Sequence, residues 1–283
     1  MKRLLLGLLA FALVAGVIVL LLVPAAGNQY RLWRDAKTVE DYRRAVAALD
    51  TLACGTILAQ AQAYNAELQE IALPDAFDEA GQWADDPGAR LLDVTDSGVI
   101  AVLEIPKMGV TLPVYRGLSQ AALARGVVHV KGTSLPIGGE GTHCALAGEG
   151  GGRFADELNG LSRLIAGDCF TIETLQDTLT YEVEGLEVVE PDALAGEALE
   201  PETDACTLMT AIERDGEPLR LLVRARRVSR MATLLDDDTQ LLPGWAARMI
   251  LAAPVALAGL ILLALIEALH GAVKRRRLRR MRL

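Results

Sequence analysis

The stretch Val99-Ile100-Ala101-Val102-Leu103-Glu104-Ile105-Pro106-Lys107-Met108-Gly109-Val110-Thr111-Leu112-Pro113-Val114-Tyr115 decides the fold. It is apolar and rich in Val and Ile, and it is interrupted once, by Pro106 to Gly109. That is the pattern of two short strands, Val99–Ile105 and Thr111–Tyr115, separated by a turn. The same texture continues downstream. Strands are expected near Gly126–Val130, His143–Gly148, Cys169–Thr174, Leu179–Val189, Cys206–Ala211 and Leu219–Val228. Further Gly and Pro clusters lie at Gly132–Gly141 and Gly148–Gly152. Ser119–Ala124 and Phe154–Leu161 read as short helices. Many short strands with few helices point to a mainly β domain, a closed barrel or a sandwich. No internal repeat is visible.

Upstream the period changes. Val39, Tyr42, Val46, Leu49 and Leu52 recur at helical spacing, so residues 28–69 are expected to be helical. Gly55 suggests a break before a second helix, Ile57–Leu68, and the pair reads as a stalk or helical hairpin beside a membrane. Pro74, Gly81, Pro87 and Gly88 then punctuate a loop from Leu73 to Gly98, and loops of that length are often functional.

Both ends are too apolar for a soluble domain. Leu4–Val23 is a run without a charge, about 30 Å long as a helix, which matches a bilayer core. A cleavable signal peptide is the rival reading, with Ala25-Ala26-Gly27 as its cleavage site. Met249–Ile266 forms a second run containing Pro254, with Trp245 at its outer edge. Lys2 and Arg3 precede the first run, and the tail Lys274–Arg282 follows the second. Both termini are therefore expected in the cytoplasm, with the body outside and the tail near anionic lipid. The segments are 1–27 (anchor), 28–98 (helical stalk and loop), 99–230 (β domain), 231–247 (linker), and 248–283 (second span and basic tail).

Residues 24–243 carry 18 Lys and Arg against 36 Asp and Glu. An acidic body of this kind does not suit nucleic acid, whose recognition needs a positive face. The cysteines Cys54, Cys144, Cys169 and Cys206 have no CxxC spacing, so zinc is not expected. Three disulfide pairings remain open, and buried free thiols are the favoured reading.

The strands carry text that resembles a known family. Ile105-Pro106-Lys107 followed by Leu112-Pro113-Val114-Tyr115-Arg116-Gly117 is similar to the opening strands of a sortase. Gly126-Val127-Val128-His129, Gly132-Thr133-Ser134-Leu135-Pro136, Gly138-Gly139-Glu140 and Thr142-His143 resemble class C, the pilin-polymerising branch. Val188-Val189-Glu190-Pro191 and Leu219-Arg220-Leu221-Leu222-Val223-Arg224 continue the match, which covers residues 99–228. The resemblance implies an eight-stranded sortase β-barrel and transpeptidase chemistry that needs no cofactor or metal. In that chemistry a cysteine thiolate attacks a sorting-signal peptide, a histidine protonates the leaving amine, and an arginine supports the oxyanion.

Carried over residue by residue, the histidine pattern reads Thr142-His143-Cys144-Ala145-Leu146-Ala147-Gly148, and the next position, the catalytic one, is Glu149. The cysteine pattern reads Thr207-Leu208-Met209-Thr210, and the next position is Ala211. The arginine is matched by Arg220. Two of the three catalytic positions thus lack the family residue. Cys206 lies five residues before Ala211, about 16 Å along a strand and on the opposite face. His143 is about 20 Å before Glu149, and His143 and Cys144, being adjacent, point to opposite faces. Thr210 faces away from Ala211. His129 reads as a packed strand histidine. Leu73-Pro74-Asp75-Ala76-Phe77 resembles the class C lid, an Asp-Pro-aromatic segment whose acid lies near the arginine and whose aromatic lies over the cysteine. Ala76 replaces the proline, and an ordinary surface turn is the rival reading.

The resemblance therefore implies a membrane-anchored class C sortase homologue, an inactive pseudo-sortase of a Gram-positive cell envelope. Its implied partners are pilin or surface-protein sorting signals, an active sortase and membrane lipid, in pilus or cell-wall assembly. The alternatives are a sortase-like transpeptidase with unconventional catalytic residues, and a structural envelope protein. If the barrel forms, Glu149, Ala211 and Arg220 are expected to converge, with Glu149 pairing with Arg220.

Overall fold

The computed structural model describes residues 30–68, 73–77, 87–117, 120–123, 125–149, 158, 160–196 and 203–229. All of them belong to one compact unit, Pro24–Asp236. Both apolar runs and the basic tail lie outside the described residues, among which no helix is long and apolar enough to cross a membrane.

Eight strands form a closed barrel: β1 (Val99–Ile105), β2 (Val110–Tyr115), β3 (Val127–His129), β4 (His143–Ala147), β5 (Cys169–Thr174), β6 (Asp177–Val189), β7 (Ala205–Arg214) and β8 (Glu217–Val228). Their order around the barrel is β1-β2-β3-β4-β7-β8-β6-β5. Two pairs are parallel, β2 with β3 and β4 with β7, and the others are antiparallel. Closure leaves no unpaired strand edge.

The pattern of each strand explains its place. In β5 every second side chain is buried, so one face meets the barrel interior and the other meets solvent. In β1 all but Glu104 are buried, because its outer face is covered as well. The cover is helix α1, residues 30–47. Its buried stripe Val39, Tyr42 and Val46 packs on the barrel wall. Tyr42 is fully buried. Its hydroxyl donates to the Ile100 carbonyl (2.9 Å) and accepts from the Leu175 amide (3.0 Å), tying the helix to two strand ends. Helix α2, Thr51–Glu67, follows. The Asn65 side chain exchanges hydrogen bonds with the backbone of Leu135. The helices therefore pack on the barrel rather than standing off it as a stalk.

The break between the two helices also differs from the sequence expectation. It falls at Asp50, whose carboxylate accepts from the Ala53 amide (2.6 Å) as an N-cap, while Gly55 lies inside α2 with open space beside it. The short helix expected at Ser119–Ala124 is α3, Gln120–Leu123. Most of the one expected at Phe154–Leu161 lies outside the described residues. Strands β7 and β8 run further than their apolar text. They meet at Asp215-Gly216, whose positive φ values (57° and 86°) suit the tight turn of a hairpin.

Two layers of core result. The barrel interior holds Cys144, Leu146, Cys206, Leu208, Leu221, Val223 and Phe170 among others. A second layer lies outside the wall, where Ala145, Ala147, Met209 and Leu222 are covered by Leu73, Ala76 and Leu194.

Candidate functional site

This second layer floors the candidate site. In β4 the outward positions are 143, 145 and 147, in β7 they are 207, 209 and 211, and in β8 they are 220 and 222, as strand alternation requires. The parallel register sets Ala147 beside Met209, and the Gly148 amide donates to the Met209 carbonyl (3.1 Å). The β4–β7 ladder ends there, and Glu149 is the second residue past the end of β4, while β7 continues to Ala211. Across the antiparallel pair, Ala211 lies opposite Arg220. Ala211 and Arg220 are thus cross-strand partners, and β4 leads to Glu149 at the same groove, although 71 positions separate Glu149 from Arg220 in the sequence.

Arg220 does not pair with Glu149. Strand β7 lies between β4, which leads to Glu149, and β8, which carries Arg220, so the two strands are two spacings, about 10 Å, apart. Instead the guanidinium holds Asp75 by both carboxylate oxygens: Nε to Oδ1 at 2.7 Å and Nη2 to Oδ2 at 2.7 Å. Its Nη1 donates to the Leu219 carbonyl (3.1 Å). The two side chains are only 9% and 10% exposed, so this is a nearly dry, bidentate ion pair. Phe77 lies against the other face of the guanidinium, 5.1 Å from ring centroid to Cζ. The Phe77 amide donates to Asp75 Oδ1 (3.1 Å), closing a local turn that aims the carboxylate. Leu73 and Ala76 are fully buried on the outer apolar layer. The segment 73–77 is therefore seated on the groove and is not an ordinary surface turn. Ala76, where the resembling lid has proline, is accommodated as a buried small residue.

No thiol shares this surface. Cys144 and Cys206 face each other across the β4–β7 pair inside the barrel, and their thiols are hydrogen-bonded. Burial pushes the Cys206 thiol well up, followed by the Cys144 contact, which keeps it protonated and unreactive. Cys54 is buried and Cys169 half-buried, and all four are free. Thr210 is buried on the wall's opposite face from Ala211, and its hydroxyl has no hydrogen-bond partner among the described residues.

Histidines lie elsewhere. His143 is outward on β4, 6% exposed, with Nε2 at 2.7 Å from Thr207 Oγ1. Burial, then the charge of Arg224, pushes its pKa down to about 4, so the ring is neutral near pH 7. Four residues of β7 separate Thr207 from Ala211, about 13 Å, too far for His143 to serve a group at 211. His129 is buried, with Nε2 near the Ser134 carbonyl (3.0 Å) and the Thr133 hydroxyl (3.3 Å). No His, Cys, Asp or Glu group able to hold a metal exists among the described residues.

Sequence reasoning missed the His143–Thr207 pair and the cover supplied by Leu194. The first follows from strand register, which the text does not carry. The second comes from the helical turn Pro191–Gly196, in the connection between β6 and β7, which lies against β8.

A closed barrel with two parallel pairs, an outer groove on β4, β7 and β8, and a segment latched over it define the sortase architecture. A sortase domain model matches residues 103–228. The chain is similar to the pilus-related sortase C of Group B Streptococcus, with 33% identity and a TM-score of 0.62 over 68% of this chain and 98% of that one. It is similar to sortase C-1 from Streptococcus pneumoniae at 31% identity, TM-score 0.62, over 68% and 98%. A further Streptococcus pneumoniae sortase C, whose structure was described for catalysis and pilin substrate specificity, matches at 27% identity and TM-score 0.60, over 68% and 97%. No curated protein sequence matches it. The chain belongs to the sortase family, and these solved structures are class C sortases.

Proposed function

We propose that this protein is a membrane-anchored sortase homologue that binds sorting-signal peptides of pilins or surface proteins without cleaving them, and so acts as a scaffold in pilus or cell-wall assembly. The observation that carries this reading is the cross-strand pair Ala211–Arg220. The arginine is present and correctly latched, but the position beside it offers a methyl group where acyl transfer needs a nucleophile. The thiols at Cys144 and Cys206 face the barrel interior. Among the described residues no cysteine shares the groove face with Glu149. The groove keeps an apolar floor of Ala145, Ala147, Met209 and Leu222, which suits an extended peptide once segment 73–77 withdraws. Likeness to class C sortases, one of them described for pilin substrate specificity, supports pilin sorting signals as the peptide class. The apolar runs Leu4–Val23 and Met249–Ile266 support anchoring at both ends.

The test uses the full chain in nanodiscs with peptides spanning pilin sorting signals. Saturable binding with no cleavage and no amine transfer is expected. Cleavage that persists in a variant lacking all four cysteines and is lost in Arg220→Ala would establish a cysteine-independent enzyme. Absence of binding, with Asp75→Ala as well as wild type, would leave a structural envelope protein.

A further inference from the structure

We infer that the ligand of this groove presents a free carboxylate to Arg220, in the place that Asp75 occupies in the closed state. This rests on the reading that the groove binds and does not cleave. The structure already holds the complex in intramolecular form. The Nε–Nη2 edge of Arg220 grips a carboxylate by two 2.7 Å bonds, in a position with 9% and 10% exposure. The third nitrogen is committed to the Leu219 carbonyl and the guanidinium carbon sits over the Phe77 ring, so the Nε–Nη2 edge is the one that holds the carboxylate.

The occupant's chemistry follows from what it must replace. Charge-assisted, bidentate hydrogen bonds are roughly twice as strong as neutral ones. A peptide carbonyl arriving at Arg220 would replace a bidentate cation–anion pair by bonds to an uncharged acceptor in a desolvated site, and it would also have to lift Leu73 and Ala76 from their apolar seat. A neutral ligand therefore competes poorly with Asp75. A carboxylate restores the same two bonds, and only the seating of the segment remains to be overcome. Ala211, directly opposite, brings no group that would consume or compete for the anion. Glu149 lies past the end of β4, a strand two spacings, about 10 Å, from β8. Its charge disfavours an anion in the middle of the groove and so orients the ligand, with the carboxylate at β8 and a neutral or cationic stretch running toward β4. Two sources carry this chemistry, the C-terminus of a processed chain and an Asp or Glu side chain.

Acetate is the probe, with the full chain in nanodiscs. Asp75→Ala empties the site, so acetate should raise its Tm over chloride at matched ionic strength, by about 3–5 °C at ten times the dissociation constant. Wild type, filled by Asp75, should show no such shift, and neither should Asp75→Ala/Arg220→Gln. Wild type gives a second readout that needs no variant. High acetate, but not chloride, should speed amide hydrogen exchange in residues 73–77. Short peptide pools then separate the sources. Preference for a free C-terminus over an amidated one assigns the chain end. Equal binding of an amidated pool carrying Glu assigns the side chain. The inference is overturned if acetate acts no differently from chloride on both readouts, or if amidated pools without acidic residues bind as tightly as carboxylate ones. Peptide cleavage, followed by mass in the same samples, would overturn the non-cleaving reading alone, since the acetate result does not involve turnover.

Discussion

Arg220 on β8 and Asp75, 145 positions earlier, form a bidentate ion pair over the groove, with both oxygens of the carboxylate engaged. Breaking a buried pair from one side leaves an uncompensated charge. Arg220→Ala is expected to cost about 3–5 kcal/mol of stability, read by denaturant unfolding of the full chain in micelles. The double variant Asp75→Ala/Arg220→Ala should be less destabilised than Arg220→Ala alone, because no lone charge remains. Strictly additive costs would show that the two residues do not act as a pair.

A second expectation concerns acidity. His143 in the folded protein binds a proton only near pH 4, because its ring is buried against Thr207 and faces the charge of Arg224, whereas an unfolded histidine binds one near 6.5. Between those values the unfolded state holds more protons, so stability falls as pH drops from 6.5 toward 4. The separation corresponds to about 3 kcal/mol. His143→Gln should flatten this part of the Tm–pH curve while leaving the neutral-pH fold intact. An unchanged slope in that variant would assign the acid sensitivity to other groups.

The β domain was legible because its signals are local. Apolar runs bounded by Gly and Pro placed all eight strands, and Val99–Ile105 and Cys169–Thr174 match to the residue. Boundaries were misplaced where a short-range signal was passed over. Asp50 is an N-cap that starts α2 before Gly55, and Asp215-Gly216 is a hairpin turn that carries β7 and β8 past their apolar text. The juxtaposition of Ala211 and Arg220 was reached through motif likeness, since strand order cannot be read from spacing. The partner of Arg220 was legible only as a choice, Glu149 by the expected convergence or Asp75 by the likeness of its segment to a lid, and Asp75 holds it. Glu149 and Asp75 are both acids beside the same groove, and the choice between them depends on two strand spacings of distance and on the turn that holds Asp75 against Phe77. The choice between a stalk and a helical hairpin stayed open in the sequence because a helical stripe says that a face is covered without saying by what, and here the barrel covers it.

Topology gives a third prediction. The basic residues Lys2, Arg3 and Lys274–Arg282 flank the two apolar runs on their outer ends. Positive flanks stay in the cytoplasm. A reporter active only in the cytoplasm should work when fused after residue 283, and one active only outside should work when inserted at residue 150. A C-terminus that reports from outside would overturn the two-span layout and place the basic tail away from the anionic inner leaflet.

The last prediction concerns chemistry at Ala211. Its side chain ends in a methyl group on the groove face, directly across from Arg220. Wild type should therefore form no acyl adduct with sorting-signal peptides, and Asp75→Ala, which frees Arg220, should form none either. Ala211→Cys places a thiol beside the guanidinium, and Glu149→His places an imidazole just past the end of β4, on the other side of β7, to take the thiol proton. The double variant should gain an adduct whose mass equals the acyl part of the peptide and which hydroxylamine releases, as expected of a thioester. Ala211→Cys alone should react more slowly, because the carboxylate of Glu149 disfavours a thiolate beside it. Arg220→Ala in the double-variant background should lower the yield by removing support for the oxyanion. An acyl adduct on wild type would mean that a nucleophile other than residue 211 serves this groove, and the non-cleaving reading would fall with it.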